Sequence, residues 1–119
     1  MKTKKELKEI YKQMKFPIGV FQIKNIINNK IFLGSSVNLD AVWNSYKFQL
    51  NLGTYPNAEL QAEWQKFGEH NFVFEVIYEI EQDDKPNRNY KKEAEELKEL
   101  YIEELQPFED RGYHQKKTV

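Results

Sequence analysis

Residues 16–36 read FPIGVFQIKNIINNKIFLGSS, two runs rich in β-branched and aromatic residues that are separated by Asn28 and Asn29. Such residues favour extended backbone, so residues 18–26 and 30–34 are predicted to be strands. Asparagine tolerates the left-handed conformation of a tight turn, and the pair therefore predicts a hairpin. The strands carry the triplets GVF at 19–21 and FLG at 32–34, and each triplet contains one phenylalanine.

Hydrophobic periodicity outside the hairpin predicts four helices and a third strand. The helices are expected at residues 3–15 and 39–52, from Pro56 to about Gly68, and at 91–105, with Asn38 as the N-cap of the second. The third strand covers residues 71–80, and its alternation predicts one face made of Phe72, Phe74, Val76, Tyr78 and Ile80. The C-terminal tail from residue 106 is predicted to be irregular.

The order of these elements is α-β-β-α-α-β-α. Helices that pack on a small antiparallel sheet define an α+β fold, here with three strands and an extra N-terminal helix. A chain of 119 residues is expected to form a single domain, residues 1–119.

The composition excludes several classes of protein. The chain has no cysteine, which removes disulfides, thiolate nucleophiles and thiolate zinc sites. No run of about 18 apolar residues is present, and residues 1–15 lack the apolar region and cleavage site of a secretory signal. We therefore expect a cytoplasmic protein without a membrane segment.

Charge is divided unevenly along the chain, although the net charge is −1. Residues 1–50 contain nine lysines against three acidic residues, whereas residues 75–110 contain thirteen acidic residues against five basic ones. Lys4, Lys5, Lys8 and Lys12 on the first helix are candidates for contact with nucleic-acid phosphates. The alternative is that these lysines form an ordinary solvated helix face.

Several segments together resemble the GIY-YIG nuclease superfamily. They are GVF and FLGSS on the hairpin, KFGEHNF at 66–72 and LYIEELQPFEDRGYH at 100–114. The resemblance covers about residues 16–115, which leaves residues 1–15 as an additional helix and 116–119 as a tail. It implies a fold whose members cleave DNA with two tyrosines, an arginine and a divalent metal held by a glutamate.

Transferred position by position, the resemblance assigns the family's two tyrosines to Phe21 and Phe32 and its arginine to Val42. The metal-binding glutamate corresponds to Lys98, and the asparagine of the closing G-Y-N turn corresponds to His114. Phenylalanine cannot act as a general base, valine has no charge, and a lysine ammonium is a cation where a cation must bind. No family catalytic residue is intact at these positions.

Other side chains are candidates to replace these groups. Glu95 or Glu99 would reach a metal if the alignment of the last helix shifted slightly, and His114 would serve as a base or a ligand. Tyr46 lies one helical turn after Val42, so its hydroxyl would enter the same cleft. We expect Tyr46 to be a half-buried aromatic residue and His114 to be a tail histidine in water.

Three functions follow as hypotheses. The first is a GIY-YIG-fold module that has lost nuclease chemistry and binds DNA, weakly and without sequence preference, or a protein partner. The second is a divergent, active endonuclease that uses Mg²⁺ or Mn²⁺. The third is a protein-interaction or oligomerisation module without a nucleic-acid role. In the first and third, no cofactor or metal is expected.

Overall fold

A computed structural model describes residues 3–6, 15–83, 85 and 87–116 of the chain. Within these residues, three strands and three helices of more than one turn are present. In chain order they are β1 Gly19–Asn25, β2 Ile31–Ser36, α1 Leu39–Leu52, α2 Ala58–Phe67, β3 Phe72–Glu79 and α3 Tyr90–Leu105. The three-stranded sheet with its covering helices confirms the predicted α+β fold.

The hairpin forms the centre of the fold. β1 pairs antiparallel with β2 on one side and with β3 on the other, so the strand order is β2-β1-β3. At the predicted turn, Asn29 has a φ of 63°, and the Asn28 side chain accepts a hydrogen bond from the backbone N–H of Lys30 at 3.0 Å. The two asparagines therefore close the hairpin as their turn chemistry predicts.

A bulge on β3 contradicts the prediction that its alternate residues share one face. Phe21 pairs with Val76, whereas the neighbouring Val20 pairs with Tyr78, so Ile77 is an extra residue. An extra residue reverses the alternation of side chains. Phe72 and Phe74 consequently face the same side as Phe21, whereas Tyr78 and Ile80 lie on the opposite face of the sheet.

The helices cover both faces of the sheet. α1 and α2 pack against the Phe21 face, where the largest buried cluster is completed by Ile23, Leu50, Leu60 and Trp64. α3 lies on the opposite face, where Ala94 packs with Ile18 and Ile80. Because the central strand is covered on both sides, Val20, Phe21 and Ile23 have no solvent exposure.

Two asparagines that precede helices behave differently. Asn57 caps α2, because its side chain accepts a hydrogen bond from the backbone N–H of Leu60 at 3.0 Å. Asn38 occupies the corresponding position before α1, but its side chain makes no capping hydrogen bond. The prediction that Asn38 caps α1 is therefore correct in position and wrong in mechanism.

The C-terminal tail forms no strand or α-helix in residues 106–116, as predicted, but a bridge joins it to the sheet edge. Gly112 forms a parallel bridge with Ile31, and the N–H of Tyr113 donates to the Ile31 carbonyl at 3.0 Å. The Tyr113 side chain is 1% exposed, and its hydroxyl accepts a hydrogen bond from the amide of the buried Asn25 at 3.1 Å. The tail thus covers the outer edge of β2, which would otherwise expose unpaired backbone groups.

The predicted N-terminal helix is described only in part. Residues 4–6 are helical, and the Thr3 hydroxyl accepts a hydrogen bond from the N–H of Glu6 at 3.2 Å. Lys8 and Lys12 lie outside the described residues. In the part of the chain that the structure describes, no helix has both the length and the apolar character needed to cross a membrane.

Candidate functional site

The two hairpin phenylalanines lie on one face of the sheet and share an aromatic neighbour. Phe21 pairs with Gly34 and Ile23 pairs with Phe32, which places both phenylalanine rings towards α1. The centroid of the Tyr46 ring lies 5.4 Å from that of Phe21 and 6.1 Å from that of Phe32. These rings fill the space between the hairpin and α1.

A second tyrosine completes this aromatic cluster. The Tyr55 ring lies 5.1 Å from Tyr46 and 5.9 Å, edge to face, from Phe32. Burial, together with a hydrogen bond to Tyr46, raises the pKa of Tyr55 above its ordinary value. The Tyr55 hydroxyl therefore stays protonated at neutral pH and cannot serve as a general base.

Val42 joins the same cluster from α1, one helical turn before Tyr46. It is partly buried and packs against the core that contains Phe21. Its side chain has neither a charge nor a hydrogen-bond donor. The position that the resemblance assigns to an arginine thus contributes only apolar contact.

His114 closes the cluster from the C-terminal tail. Its ring stacks on Phe32 with centroids 4.8 Å apart and planes 7° apart. The backbone N–H of Leu33, at the outer edge of β2, donates to His114 Nε2 at 2.8 Å. The prediction of a solvated tail histidine is therefore wrong, because pairing of the tail with β2 draws the ring over Phe32.

The environment of His114 favours the neutral ring. Burial and then the positive charge of Lys98 lower the pKa of His114, while Glu99 opposes this shift. Acceptance of the Leu33 N–H also occupies the Nε2 lone pair, so the remaining proton lies on Nδ1. His114 is consequently a structural hydrogen-bond acceptor in this arrangement, with Nε2 unavailable as a base.

Lys98, Glu99 and His114 line a cavity of about 580 Å³ between α3 and the tail. Glu95 lies elsewhere, on a smaller cavity beside Ser35 and Ser36. The structure thus brings Phe21, Phe32, Val42, Tyr46 and His114 into one cluster, with Lys98 and Glu99 at its rim and Glu95 outside it.

The cluster does not fit a divalent metal. Mg²⁺ and Mn²⁺ prefer several oxygen ligands, and the rings of Phe21 and Phe32 supply none. Lys98 introduces a positive charge at the position to which the resemblance assigns a carboxylate. Across the described residues, no three aspartate, glutamate or histidine side chains are close enough together to hold a metal ion.

The buried hydrogen bond of His114 predicts a pH dependence of stability. Folding favours the neutral ring, so the unfolded chain binds more protons below the ordinary histidine pKa of about 6.5. The stabilisation is present above that pH and is lost as the pH falls through the lowered pKa. We expect the difference in unfolding free energy between wild type and His114→Gln to shrink below about pH 6.5.

Urea denaturation across this pH range measures that difference. The chain has two histidines, and His70 lies exposed in the turn before β3. His70→Gln is therefore a matched control and should follow the wild-type pH profile. A constant difference between wild type and His114→Gln down to pH 5 would contradict the assignment.

Of the predicted phosphate-contacting lysines, the structure describes Lys4 and Lys5, and both are exposed. The contribution of Tyr113, which contacts Asn25, Lys30 and Asn57, was not predicted from the sequence. Its carbonyl accepts a hydrogen bond from the Asn57 side chain at 2.8 Å, and its ring lies under the Lys30 ammonium at 5.0 Å. The one sequence feature that could have indicated a buried role for Tyr113 is its aromatic side chain directly after Gly112.

The chain was compared with family models, with the sequences of known proteins and with solved structures. No family model matches the chain. Intron-associated endonuclease 1 of Enterobacteria phage T4 is 35% identical over 64 residues, which are 51% of this chain and 26% of that protein. The match therefore spans about a quarter of the relative's length.

Two solved structures share the fold over most of the chain. The catalytic domain of the homing endonuclease I-TevI superposes with a TM-score of 0.68 at 26% identity and covers 84% of this chain and 99% of that domain. A glutamate-to-alanine mutant of the I-TevI catalytic domain gives a TM-score of 0.65 at 27% identity, over 76% and 86% of the two chains. The sequence match and both superpositions support the resemblance of this chain to the GIY-YIG nuclease superfamily.

Proposed function

We propose that this chain is a GIY-YIG-fold module that binds DNA through phosphate contacts and does not cleave it by the family's chemistry. The observation that carries the proposal is the aromatic cluster at the site. Phe21 is fully buried, Phe32 lies between Tyr55 and His114, and neither ring has a hydroxyl. The fold is retained while the reacting groups are replaced by groups that pack.

Each requirement of phosphodiester cleavage lacks its group. The proton of an attacking water needs a base, but Phe21 and Phe32 have none and His114 Nε2 is already hydrogen-bonded to Leu33. The negative charge that develops on the phosphoryl group in the transition state needs a nearby cation. Val42, at the position that the resemblance assigns to an arginine, supplies none. Loss of one such stabilising donor costs about 10²–10³ in kcat in well-studied enzymes, and here several are missing together.

Support for DNA binding comes from charge and from the relatives. Residues 1–50 contain nine lysines, and Lys4 and Lys5 are exposed. The proteins that the chain resembles are named as endonucleases. Lysine contacts with phosphates are independent of sequence and weaken steeply with salt. The acidic α3, with Glu96, Glu103 and Glu104, would repel DNA and restrict contact to other surfaces.

Duplex binding at several salt concentrations tests this proposal. We expect log K to fall with the logarithm of the monovalent salt concentration by about 0.9 for each phosphate contact, measured in EDTA. Substitution of Lys4, Lys5, Lys8 and Lys12 by glutamine should abolish binding at moderate salt. The matched control replaces Lys66, Lys85, Lys91 and Lys92 by glutamine, which removes the same charge elsewhere.

The control variant should retain wild-type binding apart from a small general loss. Equal weakening by both sets of substitutions would reject the assignment of these four lysines. Absence of binding even at low salt would reject the DNA-binding proposal and favour the protein-interaction hypothesis.

A further inference from the structure

The outer edge of β3 is open to an additional strand. Within the described residues, β3 pairs only with β1. The N–H of Leu33 points away from β1, towards His114. Gln22, which lies opposite Leu33 on β1, therefore directs its backbone N–H and C=O towards β3, where it pairs with Glu75. Backbone groups alternate along a strand. Phe74 and Val76 therefore point their N–H and C=O groups outward, where an added strand would bind.

Apolar side chains accompany this open edge. Val73, Val76 and Tyr78 are 40%, 49% and 47% exposed. Tyr78 also lines a groove of about 340 Å³ together with Leu97 and Leu100 of α3. Leu100 is 60% exposed. Exposed apolar groups beside an unpaired strand edge are typical of a surface that binds another chain.

The charge of the surface identifies the kind of occupant. Glu75 and Glu79 are exposed on β3, and Glu81 and Glu96 lie beside the groove. Arg88, which also lines the groove, is already paired with Asp83 and Glu93 at 2.9 and 2.8 Å. None of the ion pairs found among the described residues includes those four glutamates. A second copy of this chain would bring the same negative charges, whereas a basic segment would complement them.

We propose that the β3 edge binds an extended segment of a partner protein that carries both apolar and basic residues. The partner backbone pairs with the outward groups of Phe74 and Val76. Its apolar side chains enter the groove beside Tyr78, and its basic side chains approach the glutamates. This surface contains none of the lysines that are proposed to contact DNA, so the inference is independent of the proposed DNA binding.

Binding of two synthetic peptides to the full chain tests the proposal. One peptide alternates lysine and valine, the other alternates glutamate and valine, and both are blocked at their ends. We expect saturable binding of the lysine peptide alone, with chemical-shift changes on β3 and at Leu100. Val76→Pro should weaken binding about tenfold, because it removes one outward N–H that a strand edge can lose without harm to its inner pairing.

Matched variants separate the backbone and charge contributions. Val76→Thr retains the N–H and should retain binding. Glu79→Lys combined with Glu81→Lys should weaken binding about tenfold or more, whereas Glu103→Lys with Glu104→Lys, at the far end of α3, should not. The proposal fails if the lysine peptide does not bind or if Val76→Pro binds like wild type. It also fails if Val76→Pro removes a self-association of the chain, because the occupant would then be a second copy.

Discussion

We expect Phe21→Ala to lower the unfolding free energy by about 3–5 kcal/mol, the range observed for loss of a buried aromatic ring. Phe21 is 0% exposed, and its ring contacts Tyr46 and Phe74 with centroids 5.4 and 5.1 Å away. Gly34, which lies opposite Phe21 on β2, leaves room for the ring, since a Cβ at position 34 would overlap the ring atoms. The neighbours relax only partly into the space left by a buried ring, so part of the cavity remains.

Phe48→Ala on α1 is the matched control, because the Phe48 side chain is 66% exposed. Its effect should stay within about 0.5 kcal/mol, as for other surface substitutions. Urea denaturation of both variants measures the difference. Comparable destabilisation by the two substitutions would contradict the description of Phe21 as a centre of the core.

This first prediction bears on function because the resemblance assigns a family catalytic tyrosine to the position of Phe21. In the present chain the position serves packing, with aromatic contacts to α1 and β3. Residues kept for catalysis commonly reduce stability, and exchange of a polar reacting group for an apolar one removes that cost. The aromatic cluster is therefore consistent with a site whose residues contribute to stability instead of chemistry.

Much of the local structure could be predicted from the sequence. α1 spans Leu39–Leu52 as its periodicity indicates, and it ends at Gly53, whose φ of 78° suits glycine. The bulge at Ile77 could not be predicted, because it depends on how β3 pairs with β1. The sequence of β3 by itself keeps a regular apolar alternation and gives no sign of an extra residue. Pairing of Gly112 with Ile31 likewise has no periodic signature, since it uses backbone groups that are distant in sequence.

The positions of the candidate site followed from the resemblance, but their interactions did not. Nothing in the sequence indicated that His114 Nε2 would accept the Leu33 N–H, because that contact requires the tail to lie along β2. The exclusion of Glu95 from the cluster depends in the same way on how α3 crosses the sheet. The division of the chain into residues 1–15, 16–115 and 116–119 remains a prediction.

The second large effect concerns cleavage. We expect the wild-type chain to nick plasmid DNA no faster than buffer, in either Mg²⁺ or Mn²⁺. Phe21→Tyr, Phe32→Tyr, Val42→Arg and Lys98→Glu, made singly, should remain inactive, because each leaves the other groups missing. A single stabilising donor contributes about 10²–10³ in kcat in well-studied enzymes, so one restored group cannot supply the whole rate.

Plasmid nicking by the wild-type chain, followed with and without divalent metal, tests the central claim most directly. We predict that the rate with metal equals the rate in EDTA, under conditions where the catalytic domain of I-TevI serves as positive control. Glu99→Gln and His114→Gln provide the decisive comparison, because they alter the side chains nearest to a replacement site. Metal-dependent nicking by wild type that disappears in either variant would contradict the claim that this chain has lost the chemistry of its family.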